Sequence, residues 1–358
     1  MENTGVLLSV QNLSVNFRVR ERELYAIRGV DLDLYEGECL AIVGESGSGK
    51  SVLCRTFSGM LEKNGRITDG RILYHGLGGE EMDLASLHSA APWSSLRGGH
   101  ISTVFQDPMT SLNPVLTIGR QITSVILRHQ SCTRREARLR AIEMMGRVGI
   151  PNPERRFDDY PFQYSGGMRQ RIVIAIALSC QPRILICDEP TTALDVTIQA
   201  QILDLIRDLR SELGFSTVFI THDLGVVANV ADRVGVMYAG QMVEIGKVEE
   251  VFYDPRHPYT WALLSSLPQL SNAGEPLYSL GGSPPSLYEM PRGDAFAPRN
   301  PYALKIDSYL PPPCVGITDT HFVRSWLYDE RAPKTACPDA VARLHERMLE
   351  EYGGGVNG

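Results

Sequence analysis

Two short stretches of this sequence could handle a phosphate chain. In the first, Gly44-Glu45-Ser46-Gly47-Ser48-Gly49-Lys50-Ser51, three glycines lead into a lysine and a hydroxyl. Glycines let successive backbone N–H groups converge on phosphate oxygens, and a helix opening here adds its favourable dipole. Lys50 is suited to pair with β- and γ-phosphates and the Ser51 hydroxyl to ligate Mg²⁺, with Val52 following on the first helical turn. In the second stretch an apolar run delivers two adjacent carboxylates, Asp188 and Glu189, before a proline. Asp188 is the natural partner of a hydrated Mg²⁺, and Glu189 is placed to polarise an attacking water as general base.

These residues need strands and helices to bring them together. Cys39–Val43 and Ile184–Cys187 are continuous apolar runs, expected as strands buried on both faces, and Thr217–Ile220 is a third. Helices are expected over Ser51–Met60, Thr133–Val148, Met168–Ser179, Thr197–Glu212 and Leu224–Ala231. Strands alternating with helices imply a mainly parallel α/β sheet, whose C-terminal edge is where ligands bind. Ahead of it, Leu7–Phe17 alternates apolar and polar residues and Ala26–Leu34 reads as its antiparallel partner, with a charged turn over Arg18–Leu24. After about Pro268, proline and glycine cluster and periodicity fades, marking a linker, a smaller C-terminal module and a glycine-rich tail at Gly353–Gly355.

The chain has 358 residues and a net charge of -7, so a general nucleic-acid role has no electrostatic footprint. No run approaches the ~20 apolar residues that span a bilayer, and the first residues lack the pattern of a secretory signal. Work at a membrane therefore requires a membrane-embedded partner. Seven scattered cysteines with no Cys-x-x-Cys pair read as buried thiols in a reducing compartment.

Between the two phosphate-handling stretches lies Tyr164-Ser165-Gly166-Gly167-Met168, at the start of a predicted helix. It resembles the signature of ABC ATPases, usually Leu-Ser-Gly-Gly-Gln, and is physically a second anion nest. The resemblance implies a P-loop NTPase fold, an α/β RecA-like core with an antiparallel β layer and a helical subdomain, plus a small C-terminal module. It divides the chain into core residues 1–105, a helical subdomain over 106–171, core again over 172–267, and the C-terminal module and tail over 268–358. It implies ATP and Mg²⁺ as ligands, with Gly44 to Val52 on ATP and Ser51, Gln106 and Asp188 around the metal. Gln106 resembles the glutamine-loop residue that senses Mg²⁺ and the attacking water, and His222 the switch histidine that contacts the γ-phosphate. Ala193-Leu194-Asp195 resembles the loop that crosses a dimer interface. Ser165 to Met168 would contact ATP held by a second subunit. Phe17 is the candidate for stacking on adenine, with Tyr25 second, and either equally suits a core position.

Within that family, His257-Pro258-Tyr259-Thr260 and the stretch Gly293–Asp307 resemble the closing segments of oligopeptide and dipeptide importer ATPases. That resemblance implies uptake of peptides, or in related importers of nickel complexes, glutathione or oligosaccharides. Its expected partners are a second, homologous ATPase, two membrane-spanning permeases and an extracytoplasmic substrate-binding protein, with this chain peripheral on the cytoplasmic face. A non-transport ABC ATPase acting on nucleic acid or ribosomes is the less favoured class. The segment Met109–Leu116 is the expected groove for a permease helix, with a buried hinge as the competing reading. Many relatives bind an iron–sulfur cluster near the C-terminus. Here Asp294, Asn300, Asp307 and Ser325 occupy the apparent ligand positions, so no cluster is expected without thiolates.

Overall fold

Alternation over the first thirty-five residues builds a paired layer. In the computed structural model, β1 (Val6–Val19) and β2 (Arg22–Tyr35) run antiparallel, with Phe17 opposite Leu24 and Arg18 opposite Glu23. That opposite-charge pair extends the ladder into the segment expected as a turn. The reversal shrinks to Arg20 and Glu21, and Arg20 takes the left-handed φ of 58°. The structure describes residues 5–77, 80–87, 89–192, 194–266, 280–339 and 341–342. Ala193, the expected boundary at 268 and the Gly353–Gly355 tail lie outside them.

β3 (Cys39–Val43) is buried at every position and runs into α1 (Lys50–Phe57). That helix stops short of the expected Met60 because Gly59 adopts φ 60° under the Trp93 ring, which a Cβ there would meet at 2.3 Å. The chain then returns to the first layer as β4 (Gly65–Leu77) and β5 (Glu80–Asp83), completing a sheet of order β2-β1-β4-β5. After α2 (Ala90–Gly99) and β6 (Ile101–Val104) comes the helical layer. Its members are α3 (Pro108–Ser111), α4 (Ile118–His129), α5 (Arg134–Arg147), α6 (Pro153–Arg156) and α7 (Gly166–Leu178).

The remaining elements are β7 (Ile184–Asp188), α8 (Val196–Leu213), β8 (Ser216–Ile220), α9 (Leu224–Val230), β9 (Arg233–Tyr238) and β10 (Gln241–Lys247). Two helices, α10 (Val248–Tyr253) and α11 (Pro258–Ser265), and a short hairpin, β11 (Cys314–Gly316) with β12 (Phe322–Arg324), follow. The second sheet has the order β11-β12-β10-β9-β3-β8-β7-β6. Its β6, β7, β8, β3 and β9 are parallel, so loops at their C-terminal ends converge on one edge.

The C-terminal hairpin pairs with β10 and thus continues the core sheet. A buried carboxylate fastens it. Glu244 accepts from Arg256 N (2.6 Å), His257 N (2.9 Å) and Thr260 Oγ1 (2.5 Å), and its other contact is His321 Nε2 at 2.7 Å. Both Glu244 and His321 are 1% exposed, so every one of these bonds replaces a lost contact with water.

Packing divides around the sheets. One core joins the helical layer to β7 through Ile118, Ile122, Ile126, Ile172 and Leu185, and a second fills the space between the two sheets with Leu8, Leu40, Phe57 and Ile186. A third, holding Val236, Tyr259 and Phe296, unites the far face with the C-terminal region. Full burial of an aliphatic or aromatic side chain contributes about 1.5–3 kcal/mol. Of the seven cysteines, Cys39, Cys54, Cys180 and Cys187 are buried as expected, but Cys132 and Cys337 are half-buried and Cys314 is exposed. Among the described residues, no helix is long and apolar enough to cross a membrane.

Candidate active site

The glycine-rich turn sits between β3 and α1 at the convergent sheet edge. Gly44 (φ 149°) and Gly49 (φ 104°) cannot be replaced without collision, since a Cβ would lie 2.1 Å from Met237 O and 2.8 Å from Ala26 O. Close backbone approach is what a phosphate cradle requires. Ser46 and Gly47 are exposed at the turn, while Ser48 and Lys50 are buried and Val52 packs partly into the core between the sheets. Lys50 Nζ donates to Gly44 O (2.7 Å) and Glu45 O (2.9 Å). Burial lowers its pKa, against the pull of the nearby carboxylates of Glu189, Asp188 and Glu45. A buried ammonium bonded to two loop carbonyls and the Ser48 hydroxyl, with no carboxylate paired to it directly, suits a polyphosphate well.

The acidic strand end meets this turn. Ser51 Oγ donates to Asp188 Oδ1 at 2.8 Å, bringing together the two oxygen donors assigned to Mg²⁺. Hard oxygen ligands on rigid elements fit that ion. Burial raises the Asp188 pKa, opposed mainly by the Ser51 hydrogen bond. Glu189 takes φ 48°, an uncommon conformation for a non-glycine residue, and its N–H donates to Ile220 O at 3.0 Å. This turns its carboxylate away from Asp188 into a ring of three partners. Gln106 Nε2 donates to Oε2 (3.2 Å), Thr192 Oγ1 donates to Oε2 (3.1 Å), and His222 Nδ1 lies 3.3 Å from Oε1. Gln106 and His222 are both exposed, so the ring opens to solvent.

Three contributors were not anticipated from the sequence. Thr192 stands three residues beyond Glu189, a signal visible in Glu-Pro-Thr-Thr. Gln170, fully buried on α7, donates to Pro190 O at 2.7 Å and so ties the signature helix to the turn carrying Glu189. Arg299 reaches Glu45 from the C-terminal region. No local pattern announces either of the last two.

Ser165 is exposed at the N-terminus of α7, where its Oγ accepts from Met168 N at 3.4 Å. Gly166 is exposed, Met168 packs partly into the core, and Gly167 faces Ile198 of α8, where a Cβ would lie 2.8 Å away. Asp195 is exposed and caps α8 through Ile198 N at 3.0 Å. Thus the signature nest and Asp195 form one exposed edge built on α7 and α8, with hydrogen bonds of their own. Phe17 does not join the cradle openly. It is 6% exposed, packed in the core between the sheets with its ring over Gly65, which leaves an adenine little surface to stack on. In the segment Met109–Leu116, Met109 and Val115 are 61% and 74% exposed while Leu112 is buried. This segment is thus a mostly exposed apolar surface rather than a buried hinge.

At the positions where an iron–sulfur cluster would need thiolates, each side chain is engaged locally. Asp294 Oδ1 accepts from Phe296 N (2.9 Å), Asn300 Oδ1 from Tyr302 N (2.9 Å), Asp307 Oδ2 from Leu304 N (2.6 Å) and Ser325 Oγ from Leu327 N (3.2 Å). These are turn-forming bonds by oxygen acceptors, and the donor set does not fit a cluster. Burial and the neighbouring Asp307 push Asp294 up to about 6.

The chain is similar to known proteins in sequence and in fold. The chain matches the ABC transporter family over residues 27–192 and the C-terminal region of oligopeptide/dipeptide transporters over residues 243–306. It is 60% identical to the oligopeptide transport ATP-binding protein AmiE of Streptococcus pneumoniae, across 98% of this chain and 97% of that protein. With the oligopeptide transport ATP-binding protein OppD of Bacillus subtilis the identity is 53%, across 97% and 96%. A dimeric ATP-binding cassette solved in a post-hydrolysis state with ADP and Pi superposes with a TM-score of 0.58 at 28% identity, covering 67% of this chain and 98% of that one. The chain belongs to the ABC transporter family as an ATP-hydrolysing subunit that works with membrane permeases, in the branch marked by the oligopeptide/dipeptide transporter C-terminal region.

Proposed function

We propose that this chain energises the uptake of oligopeptides or dipeptides. The observation that carries the reading is the 60% identity to an oligopeptide transport ATP-binding protein along 98% of the chain. In this reading Gly44 to Val52 cradle ATP, and Lys50 moves from its loop carbonyls to the β- and γ-phosphates. Ser51, Asp188 and Gln106 hold Mg²⁺, which when bound neutralises charge on the phosphate oxygens. Glu189 takes a proton from the attacking water, held in place by Gln106, Thr192 and His222, and His222 also contacts the γ-phosphate. Ser165, Gly166, Gly167 and Met168 act on ATP held by a second, homologous subunit, and Asp195 lies in the interface between them. Phe17 retains its place as adenine-stacking candidate only if its ring is uncovered on binding.

The exposed apolar surface around Met109 and Val115 is the proposed seat of a permease helix. Two permeases and an extracytoplasmic substrate-binding protein complete the machine, with this chain peripheral on the cytoplasmic face. A second, different ATPase is the partner that the resemblance to peptide importers implies. A net charge of -7 disfavours a nucleic-acid role. Deleting this chain in its host should abolish accumulation of radiolabelled oligopeptides and leave nickel, glutathione and oligosaccharide uptake unchanged. Undiminished peptide uptake, with loss of one of the others, would reassign the cargo.

The C-terminal region is proposed to hold no iron–sulfur cluster. Protein purified anaerobically should carry no stoichiometric iron or sulfide and show no absorption near the visible region of such clusters. A brown chromophore with matched iron and sulfide would refute the assignment.

A further inference from the structure

The glycine-rich turn contains a carboxylate that its role does not call for. Glu45 sits directly after Gly44, and an ionised side chain there adds negative charge beside the place proposed for a polyphosphate. Like charges a few ångströms apart in a partly buried site repel appreciably. Arg299, 254 residues further along the chain, answers that charge. Its Nη1 donates to Glu45 Oε2 (2.7 Å) and its Nη2 to Oε1 (3.0 Å), the paired fork that arginine makes with a carboxylate.

The guanidinium is itself fixed from several sides. Nη1 also donates to Tyr238 Oη (3.2 Å), and Nε donates to Gly281 O (3.0 Å). Only 5% of its side chain is exposed, against 28% for Glu45. The backbone of Glu45 is held from the same quarter, because its N–H donates to Tyr259 Oη at 2.8 Å. Tyr238, Tyr259 and Phe296 pack against one another with ring centroids 4.6–5.4 Å apart. The carbonyl of Glu45 in turn accepts from Lys50. A continuous path of bonds therefore runs from the C-terminal region to the lysine of the cradle.

We propose that Arg299 is a positioning residue for the phosphate loop, neutralising and orienting Glu45 so that the loop accepts ATP. The C-terminal region thereby becomes part of the nucleotide site without touching nucleotide. The inference rests on the reading of residues 44–51 as an ATP cradle.

The test measures MgATP affinity by calorimetry on the full-length chain, with thermal melting as a check of folding. Arg299→Met should weaken binding on the order of tenfold, because Glu45 keeps its charge and loses its partner. Adding Glu45→Gln to that variant should restore affinity to within a few-fold of wild type, since the offending charge is gone. A merely structural arginine would not be rescued by that second change. Wild-type affinity in Arg299→Met, or failure of Glu45→Gln to restore it in a folded protein, overturns the proposal. Should Arg299→Met not fold, Arg299→Lys keeps the charge without the fork and should bind ATP a few-fold more weakly, and unchanged binding there overturns it too. If the wild-type chain binds no ATP, the cradle reading itself fails, which separates the two claims.

Discussion

Glu189→Gln is expected to hold ATP while losing at least ~10²-fold in turnover, the scale of a positioned general base. The amide preserves size and still fits among Gln106, Thr192 and His222, which lie 3.1–3.3 Å from the carboxylate oxygens. It cannot accept a proton from water. The cradle is untouched, because Lys50, Ser51 and Asp188 make their bonds without Glu189. Phosphate release and retained nucleotide are measured together on the assembled complex. Wild-type hydrolysis would remove Glu189 from the mechanism and leave its strained backbone, at φ 48°, without a catalytic purpose.

Ser165→Arg should have the second largest effect, and in an unusual place. Ser165 lies exposed at the head of α7, and its hydroxyl is used locally as a cap. The groups around Glu189 come instead from Gln106, Thr192 and His222. Both Ser165-Gly166-Gly167 and the Gly44–Ser51 turn are anion sites at helix N-termini, and one γ-phosphate can use both only if they approach from opposite sides. In the proposed reading the second nest comes from another subunit. The isolated variant chain should bind ATP as wild type, while the complex loses hydrolysis at the site whose phosphate loop belongs to the partner. Combining Ser165→Arg with loss of the partner's phosphate-loop lysine places both lesions on one composite site. The double variant should be no worse than the more severe single one, whereas multiplying defects would show that the two sites are independent.

What could be read in the sequence follows from how local its cause is. The cradle and the acidic strand end are legible because each is a contiguous stretch of chemically distinctive glycines, lysine or carboxylates, and β3, β7 and β8 show as unbroken apolar runs. The helix α4 was equally available in principle, since Ile118, Ile122 and Ile126 bury one face at four-residue spacing, but it lay in a segment without a chemical motif. Arg18 to Leu24 reads as a longer turn than the two residues at Arg20 and Glu21, because its charge also reflects cross-strand pairing of Arg18 with Glu23. The C-terminal region read as a separate module because proline and glycine hide its pairing. Its short hairpin joins the core sheet through β10, and only the folded chain brings His321 to Glu244. The Arg299–Glu45 fork is invisible for the same reason, being a contact across most of the sequence.

ATP hydrolysis at this site is proposed to drive peptide import. The complete complex, both ATPases with their permeases, is placed in vesicles and supplied with the peptide-loaded binding protein. Phosphate release and accumulation of labelled peptide are followed in the same vesicles. Peptide should stimulate both together, and Glu189→Gln in this chain should abolish both. Peptide accumulation that persists in that variant, or phosphate release indifferent to peptide, would contradict it.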